Sequence, residues 1–249
     1  APLPARESHW VAVPGMSDLV ATWAQPLAAA CQLELKTRVT RIEPDALDPS
    51  GWQLRTEAGD ARHVYGGFDG VMLALPAPQA ADLLAASSLA PKGLRKLATV
   101  EMAPCWTLML AFPNAMQPDL VTLGPQWNAA RSTHHRVAWL ARESSKPGRT
   151  PTERWTVQAS AEWSREHLQD DPARIEAKML KAFTEVTGIY AAPAHTAVHR
   201  WRHARTLKPL GRSHLWDASA SLGACGDWCI GHRVEDAFLS GLELALAVG

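Results

Sequence analysis

The order of apolar and polar residues predicts that the chain begins with one helix followed by short strands. Apolar side chains recur at helical spacing over 19–27 behind Met16-Ser17-Asp18, which predicts an N-capped helix that Pro26 kinks. Period-two alternation, broken by Asp- and Gly-rich turns, then predicts strands at 32–36, 39–43, 52–56 and 62–65.

Two apolar runs are short enough to be buried strands, and each precedes a helix. Residues 69–75 form the first run, which is typical of a strand buried on both faces, and Pro76-Ala77-Pro78-Gln79 then opens an Ala- and Leu-rich helix. The second run, 219–224, leads into Cys225-Gly226-Asp227-Trp228 and then into apolar residues at helical spacing over 234–245. The end of the chain therefore reads as strand, Gly-Asp turn and helix.

The middle of the chain has longer alternating runs and one strong helix. The helix spans Pro172 to Thr187, behind the capping residues Asp170-Asp171, and Gly188 closes it. The strands are predicted at 102–112, 136–142, 154–161 and 194–201. This order predicts a mostly antiparallel sheet with a helix on one face, set between two parts of an α/β unit.

Composition narrows the class of function. A chain of 249 residues can form one large domain or two small ones. Its formal net charge is +0 and it has no long basic block, so nothing points to nucleic acid or an anionic membrane surface. No apolar run approaches the roughly 18–20 residues of a membrane span, and the N-terminal residues lack a secretory apolar region. The four cysteines favour buried free thiols in a reducing, cytoplasmic environment. We therefore expect a cytoplasmic protein that acts on a small molecule.

The Gly-Asp element can bring backbone close to a ligand. Gly226 and Gly231 have no Cβ, and the helix that follows directs free N–H groups and the positive end of its dipole at whatever lies above the turn. The residues alone also allow an ordinary Gly-Asp turn between a strand and a packing helix. The whole run from Cys225 to Gly241, however, resembles the C-terminal flavin-binding segment of the amine-oxidase superfamily of FAD enzymes.

This resemblance implies specific contacts to FAD. Asp227 would bind the ribityl chain, and the backbone N–H groups of Arg233 and Val234 would face the flavin pyrimidine. Residues 31–80 resemble the matching upstream part of such enzymes, although an ordinary α/β unit is the alternative there. By that resemblance the backbone of Val39 pairs with the adenine. The residues implied near the diphosphate are Ala74, Leu75 and Pro76.

Further segments narrow the resemblance to the bacterial renalase-like flavoproteins of this superfamily. They are Val13-Pro14-Gly15-Met16-Ser17, Met102-Ala103-Pro104-Cys105-Trp106, 161–168 and 199–204. The resemblance implies an FAD-dependent oxidoreductase that oxidises 2- or 6-dihydro isomers of NAD(P)H, passing hydride to the flavin and then electrons to O2 with release of H2O2. Such chemistry belongs to the cofactor and needs little acid–base help, so we assign no catalytic acid.

Three residues are candidates for the substrate pocket: Trp106, His167 and Trp201. A tryptophan can instead be plain core, and His167 can be a surface residue at a helix start. His199 and His203 are four residues apart, but a strand separates such positions by about 13 Å, so we expect no metal site.

The fold class implied is α/β with an α+β insertion. It is an incomplete FAD/NAD(P)-binding fold of the two-dinucleotide-binding-domain flavoproteins. Residues 1–91 and 206–249 would form a partial FAD-binding domain, and 92–205 an antiparallel-sheet substrate-binding domain. The sequence has no G-x-G-x-x-G, the motif that cradles the FAD pyrophosphate, so we expect roughly the first third of a typical member to be absent. We then expect weak FAD binding or none.

Two alternative functions stay open. The first is a flavin amine oxidase, which would need an aromatic cage beside the flavin, for which Trp106 and Trp201 are the candidates. The second is a non-catalytic fragment that binds a partner or small molecule through the sheet of the substrate domain.

Overall fold

The computed structural model describes residues 10–113, 127–150 and 152–249. In chain order its helices and strands are α1 (Met16–Ala29), β1 (Arg38–Pro44), β2 (Trp52–Ala58), β3 (Ala61–Phe68), β4 (Val71–Leu73), α2 (Ala77–Ala86), β5 (Glu101–Phe112), β6 (Ala129–Arg131), β7 (Val137–Arg142), β8 (Glu153–Ala159), α3 (Ala161–Glu166), α4 (Pro172–Thr187), β9 (His195–Lys208), β10 (Leu215–Asp217), β11 (Leu222–Ala224), α5 (Asp227–Ile230) and α6 (Val234–Val248). Short 3-10 helices lie at Lys92–Thr99 and Glu143–Ser145.

The chain divides into two compact units. One, here called the sheet unit, combines the residues up to Leu33 with Pro104–Arg202. The other, here called the Gly-Asp unit, combines Glu34–Ala103 with His203–Gly249. The sequence analysis placed residues 1–33 with the partial FAD-binding domain, whereas α1 groups with the sheet unit.

In the sheet unit, the strands that the structure describes follow the order β6-β7-β8-β5-β9. The pairs β6–β7, β7–β8 and β5–β8 are antiparallel, which confirms the predicted mostly antiparallel sheet. Helix α4 packs an apolar stripe of Ile175, Met179 and Phe183 into the core of this unit.

Local signals set both ends of α4. The carboxylate of Asp171 accepts hydrogen bonds from the backbone N–H groups of Ala173 and Arg174, and Gly188 ends the helix with a positive φ of 73°. Both ends lie where the sequence predicted them.

The Gly-Asp unit contains two small sheets among its described residues. One is the antiparallel sheet β1-β2-β3, and the other has the order β10-β11-β4 with β11 parallel to β4. Leu73, Leu222 and Trp228 belong to one buried cluster that also contains α2 residues such as Ala80. The parallel pair is the feature that matters for the site, because parallel strands end at the same edge of a sheet.

Several predicted elements differ in the structure. Residues 32–36 form no strand, and Gly15 caps α1 instead of Ser17 or Asp18. Strand β4 is limited to Val71–Leu73, and its Met72 side chain is 38 % exposed, so the prediction of a strand buried on both faces is wrong.

The strand predicted at 219–224 is shortened to Leu222–Ala224 for a local reason. The Asp217 carboxylate accepts hydrogen bonds from the Ser219 hydroxyl and the Ala220 N–H, and this turn holds 219–221 out of the ladder. The turn predicted at 225–228 overlaps α5, a single helical turn that begins at Asp227.

Among the helices of the described residues, none is long and apolar enough to cross a membrane.

Candidate functional site

The candidate site of the Gly-Asp unit lies where β4 and β11 end together. In their parallel register Leu73 faces Ala224, and the N–H of Cys225 donates to the Leu73 carbonyl oxygen at 3.1 Å. Beyond the ends of both strands, the indole N–H of Trp228 donates to the carbonyl oxygen of Leu75 at 2.9 Å. Ligands of open α/β sheets bind outside the carboxyl ends of the strands. The structure thus places the segment that contains Ala74 and Pro76 beside the segment that contains Gly226 and Asp227.

Gly226 is required by close packing and not by its backbone angles. Its φ of 161° is extended backbone, but a Cβ at this position would collide with the indole ring of Trp228. Its N–H donates to the Ser240 hydroxyl at 3.0 Å, and this hydroxyl in turn donates to the Ser213 carbonyl oxygen at 2.6 Å. Ser240 is completely buried, so it anchors the turn from α6.

Asp227 presents a half-buried carboxylate at this edge. Its Oδ1 accepts the N–H of Trp228 at 2.9 Å. Burial raises the pKa of the Asp227 carboxyl above its ordinary value, the Trp228 N–H opposes this, and the Asp236 carboxylate nearby raises it further. An acceptor oxygen held partly out of water fits a hydroxyl of a ligand.

The start of α6 is already capped by the protein itself. Oδ2 of Asp236 accepts the N–H groups of His232 and Arg233 at 2.9 and 2.8 Å. A Cβ on Gly231 would lie 2.5 Å from this oxygen, which explains the glycine. The expectation that this helix start offers free N–H groups is therefore wrong for Arg233. Val234 is the first residue of the helix and is 62 % exposed.

Val39 lies on a different part of the Gly-Asp unit. It pairs with Thr56 of β2, next to a register shift in β1. The neighbouring β1 residues bind the C-terminal end of α2: the Arg41 guanidinium donates to the Ala86 carbonyl oxygen, and the Ile42 N–H donates to the Ser87 hydroxyl. Pro76 caps the opposite end of α2. A helix of this length separates its two ends by about 15 Å.

The predicted substrate-pocket residues belong to the sheet unit and have different surroundings. Trp106 is 2 % exposed and lies in the core cluster, so it is a core residue, the alternative that the sequence left open. Trp201 is 52 % exposed, and its ring centroid lies 4.1 Å from that of His199. The described residues hold no group of three or more His, Cys, Asp or Glu side chains that could bind a metal ion.

His167 is partly exposed at the C-terminal end of α3. Its ring stacks on the Trp163 ring with centroids 4.3 Å apart and planes 19° apart. Its Nδ1 lies 3.0 Å from the Trp163 carbonyl oxygen. The indole N–H of Trp106 donates to the His167 carbonyl oxygen at 3.0 Å, so the buried tryptophan and the exposed histidine are linked.

Sequence reasoning missed the roles of Trp228, Asp236 and Ser240. An acidic residue three positions after the N-cap of α6 is a local signal for the Asp236 cap. No local signal identifies the partners of Trp228 and Ser240, because Leu75 and Ser213 are 153 and 27 residues away in the chain.

The sequence model of the family described as flavin containing amine oxidoreductase matches residues 3–248. The chain therefore belongs to this family, and the membership supports FAD as its cofactor. The predicted membership of the amine-oxidase superfamily is thereby confirmed at the level of the family.

Two solved structures similar to this chain are both oxidases by description. A proposed protoporphyrinogen oxidase from Exiguobacterium sp. 255-15 is 13 % identical, with a TM-score of 0.67 over 94 % of this chain and 51 % of its own. Cyclohexylamine oxidase from Brevibacterium oxydans IH-35A is 15 % identical, with a TM-score of 0.64 over 94 % of this chain and 52 % of its own. At these identities the likeness establishes a shared fold. The chain spans about half the length of both proteins.

Proposed function

We propose that this chain carries the flavin-binding and substrate-binding parts of an FAD-dependent oxidase of the renalase-like kind, which oxidises a dihydro isomer of NAD(P)H with O2. The observation that supports this proposal most directly is the half-buried Asp227 carboxylate at the edge where the parallel strands β4 and β11 both end. In this proposal the Gly-Asp unit binds the cofactor, and the sheet unit is the substrate-binding domain that the resemblance implies.

The residues present fit one extended dinucleotide. The half-buried carboxylate of Asp227 accepts a hydroxyl of the ribityl chain. Val39 lies on β1, whose Arg41 and Ile42 bind the end of α2 opposite Pro76, and this suits a cofactor whose adenine and flavin ends are far apart. Ala74 and Pro76 fall between them on the diphosphate. The N–H of Val234 faces the flavin pyrimidine. The N–H of Arg233 would face the flavin only after its hydrogen bond to the Asp236 carboxylate breaks.

The chemistry that bound FAD supplies is acceptance of hydride and its reoxidation by O2 with release of H2O2. The protein residues orient both partners and exclude water. The sequence has no G-x-G-x-x-G, so we assign no residue of this chain to cradle the pyrophosphate as that motif does.

The positions of Trp106 and Trp201 bear on the class of substrate. An amine oxidase was expected to need an aromatic cage, with Trp106 and Trp201 as its two candidates. The Trp106 ring is buried in the core and carries the Arg200 guanidinium 5.5 Å from its centroid, so it cannot take an amine on that face. This favours a dihydronicotinamide over an amine, and cyclohexylamine oxidation stays the alternative that the assay must include.

The first experiment is a visible absorption spectrum of the purified protein together with its intact mass. Flavin bands at the mass of this chain would show that these residues hold FAD without a G-x-G-x-x-G segment. A colourless protein at that mass would support the alternative of a non-catalytic fragment for the chain by itself.

The second experiment separates the two substrates. The flavin-loaded protein is given 2- or 6-dihydro-NAD(P) in one assay and cyclohexylamine in the other, and H2O2 is measured. We expect H2O2 only with the dihydronicotinamide. Turnover of the amine alone would contradict the proposed substrate and establish an amine oxidase.

A further inference from the structure

We propose that the Asp236 carboxylate competes with FAD for backbone N–H groups at the start of α6, so that Asp236 weakens the binding of the cofactor. The competition concerns the N–H of Arg233, which the flavin pyrimidine would accept, and the N–H of His232 beside it. This inference rests on the proposed function, because it concerns the cofactor site named there.

Both N–H groups are already engaged in the structure. Oδ2 of Asp236 accepts the N–H of His232 at 2.9 Å and the N–H of Arg233 at 2.8 Å. These are the distances of strong hydrogen bonds to a charged acceptor. A backbone N–H has one hydrogen to donate, so an acceptor atom of a ligand can use these groups only after the carboxylate has turned away.

Gly231 makes room for this carboxylate. Its φ of −167° is extended backbone, which any residue can adopt, so the backbone angles do not require a glycine. A Cβ here would lie 2.5 Å from Oδ2 of Asp236, which is closer than such atoms can approach. The sequence alone predicts that this glycine brings backbone close to a ligand, whereas in the structure it accommodates Asp236.

The carboxylate belongs to the helix that it caps. Asp236 stands three positions after the N-cap residue Arg233, and its side chain reaches back to the N-cap N–H as in one half of a capping box. A rotation of this one side chain would release both N–H groups without unfolding α6. The competition is therefore local and reversible.

Negative charge at the helix start adds to the competition. Asp236 and Glu235 both lie in the first turn of α6, where they offset the positive end of the helix dipole. Burial raises the pKa of the Asp227 carboxyl, and the Asp236 carboxylate raises it further, so the two carboxylates lie close enough to repel each other. The flavin pyrimidine presents acceptor atoms, and the FAD diphosphate is itself negative, so this charge also disfavours the cofactor.

The size of the effect follows from the strength of helix caps. Loss of a capping side chain typically changes an equilibrium constant by about twofold to thirtyfold. In Asp236→Ala both N–H groups are free before FAD arrives. We therefore expect this variant to bind FAD about threefold to tenfold more tightly than the unaltered protein.

The affinity is measured by fluorescence titration of the cofactor-free protein with FAD. Glu235→Ala is the matched control, because it removes a charge of the same sign from the same turn and leaves the bonds to Asp236 in place. It should change the affinity less than Asp236→Ala does. Asp236→Asn, which keeps an acceptor oxygen without the charge, should fall between the unaltered protein and Asp236→Ala.

Urea denaturation with and without FAD separates this role from a purely structural one. Without FAD, Asp236→Ala should be less stable than the unaltered protein, because the cap is lost. At saturating FAD this difference should shrink, since the tighter binding to the folded state is returned as stability. A cap that never meets the cofactor would give the same difference with and without FAD.

Hydrogen exchange reports on the two N–H groups directly. Without FAD, the amide hydrogens of His232 and Arg233 should exchange more slowly in the unaltered protein than in Asp236→Ala. Addition of FAD to Asp236→Ala should slow them again. Exchange that FAD leaves unchanged in this variant would contradict the assignment of these donors to the cofactor.

The outcomes also distinguish this inference from the proposed function. Equal FAD affinities of the unaltered protein and Asp236→Ala, or weaker binding by the variant, would overturn the inference and leave the proposed function standing. Absence of FAD binding by both folded proteins would overturn the cofactor site, and with it this inference. None of these measurements depends on turnover, so the choice of substrate is tested separately by the oxidase assay.

Discussion

The indole N–H of Trp228 donates to the carbonyl oxygen of Leu75 at 2.9 Å, and this bond ties the segment after β11 to the segment after β4. Trp228 is 1 % exposed and packs in the same core cluster as Leu73 and Ala224. Its neighbour Asp227 is thereby fixed at the edge where both strands end.

Replacement of Trp228 by Phe should destabilise the Gly-Asp unit. The ring still fills most of the core volume, but the partly buried carbonyl of Leu75 loses its donor, so the free energy of unfolding should fall by about 1–3 kcal/mol. Urea denaturation followed by circular dichroism measures this. Trp201→Phe, at a residue 52 % exposed, is the control and should change stability by about 0.5 kcal/mol or less. Equal effects of both variants would contradict the role of the Leu75 bond.

Alanine at Gly226 should also destabilise the protein, through overpacking. The new methyl group would collide with the Trp228 indole, so the free energy of unfolding should fall by about 1–3 kcal/mol. The flavin absorbance per mole of protein should fall as well. Gly241→Ala is the matched control: a Cβ there meets no atom within 4 Å, and loss of a helical glycine should stabilise α6 by about 0.5–1 kcal/mol.

Asparagine at Asp227 should separate stability from cofactor binding. Burial raises the pKa of this carboxyl in the folded protein, so its ionisation opposes folding. The protonated carboxyl contributes stability that is fully present below the unfolded pKa and is lost as pH rises through the folded pKa. Asp227→Asn should therefore be at least as stable as the unaltered protein at pH 7, while it binds FAD more weakly. Thermal melts and fluorescence titration with FAD measure the two effects. Unchanged FAD affinity would contradict the assignment of Asp227 to the ribityl chain.

Asp217 should make the Gly-Asp unit sensitive to acid. Its carboxylate accepts the Gly93 N–H and the Ser219 hydroxyl at 2.9 and 2.7 Å, and these donors hold its pKa below the ordinary value. A lowered folded pKa contributes stability above the unfolded pKa, near 3.8, and this is lost as pH falls through the folded pKa.

The Asp217 test compares urea midpoints at pH 7 and pH 3. Asp217→Asn should be less stable at pH 7, and the difference from the unaltered protein should shrink at pH 3. Ser219→Ala removes one donor and should show a smaller change in the same direction. A constant difference at both pH values would contradict this account.

Local signals explain which elements the sequence predicted well. The strands of β1, β2 and β3 follow alternation and their turn residues, and α4 follows from Asp171 and Gly188 at its ends. Residues 32–36 also alternate, yet they form no strand. An alternating pattern states only that a segment could pair, and the partner strand decides whether it does.

The candidate site was predictable in its residues but not in its contacts. The run from Cys225 to Gly241 and the Ala74–Pro76 segment carry a recognisable pattern, and the parallel pairing of β4 and β11 places them together. The pattern could not reveal that Asp236 occupies the Arg233 N–H, since a carboxylate near a helix start is equally able to bind a ligand or to cap the helix.

The sequence by itself determined the family, the flavin cofactor and the order of the elements, because these follow from local residue patterns that short segments carry. The tertiary structure alone decided that Trp106 is buried while Trp201 is exposed, that the Trp228 indole reaches Leu75, and that the Trp163 carbonyl holds Nδ1 of His167. Burial and the choice of hydrogen-bond partners depend on which distant segments pack together, and no local pattern encodes that choice.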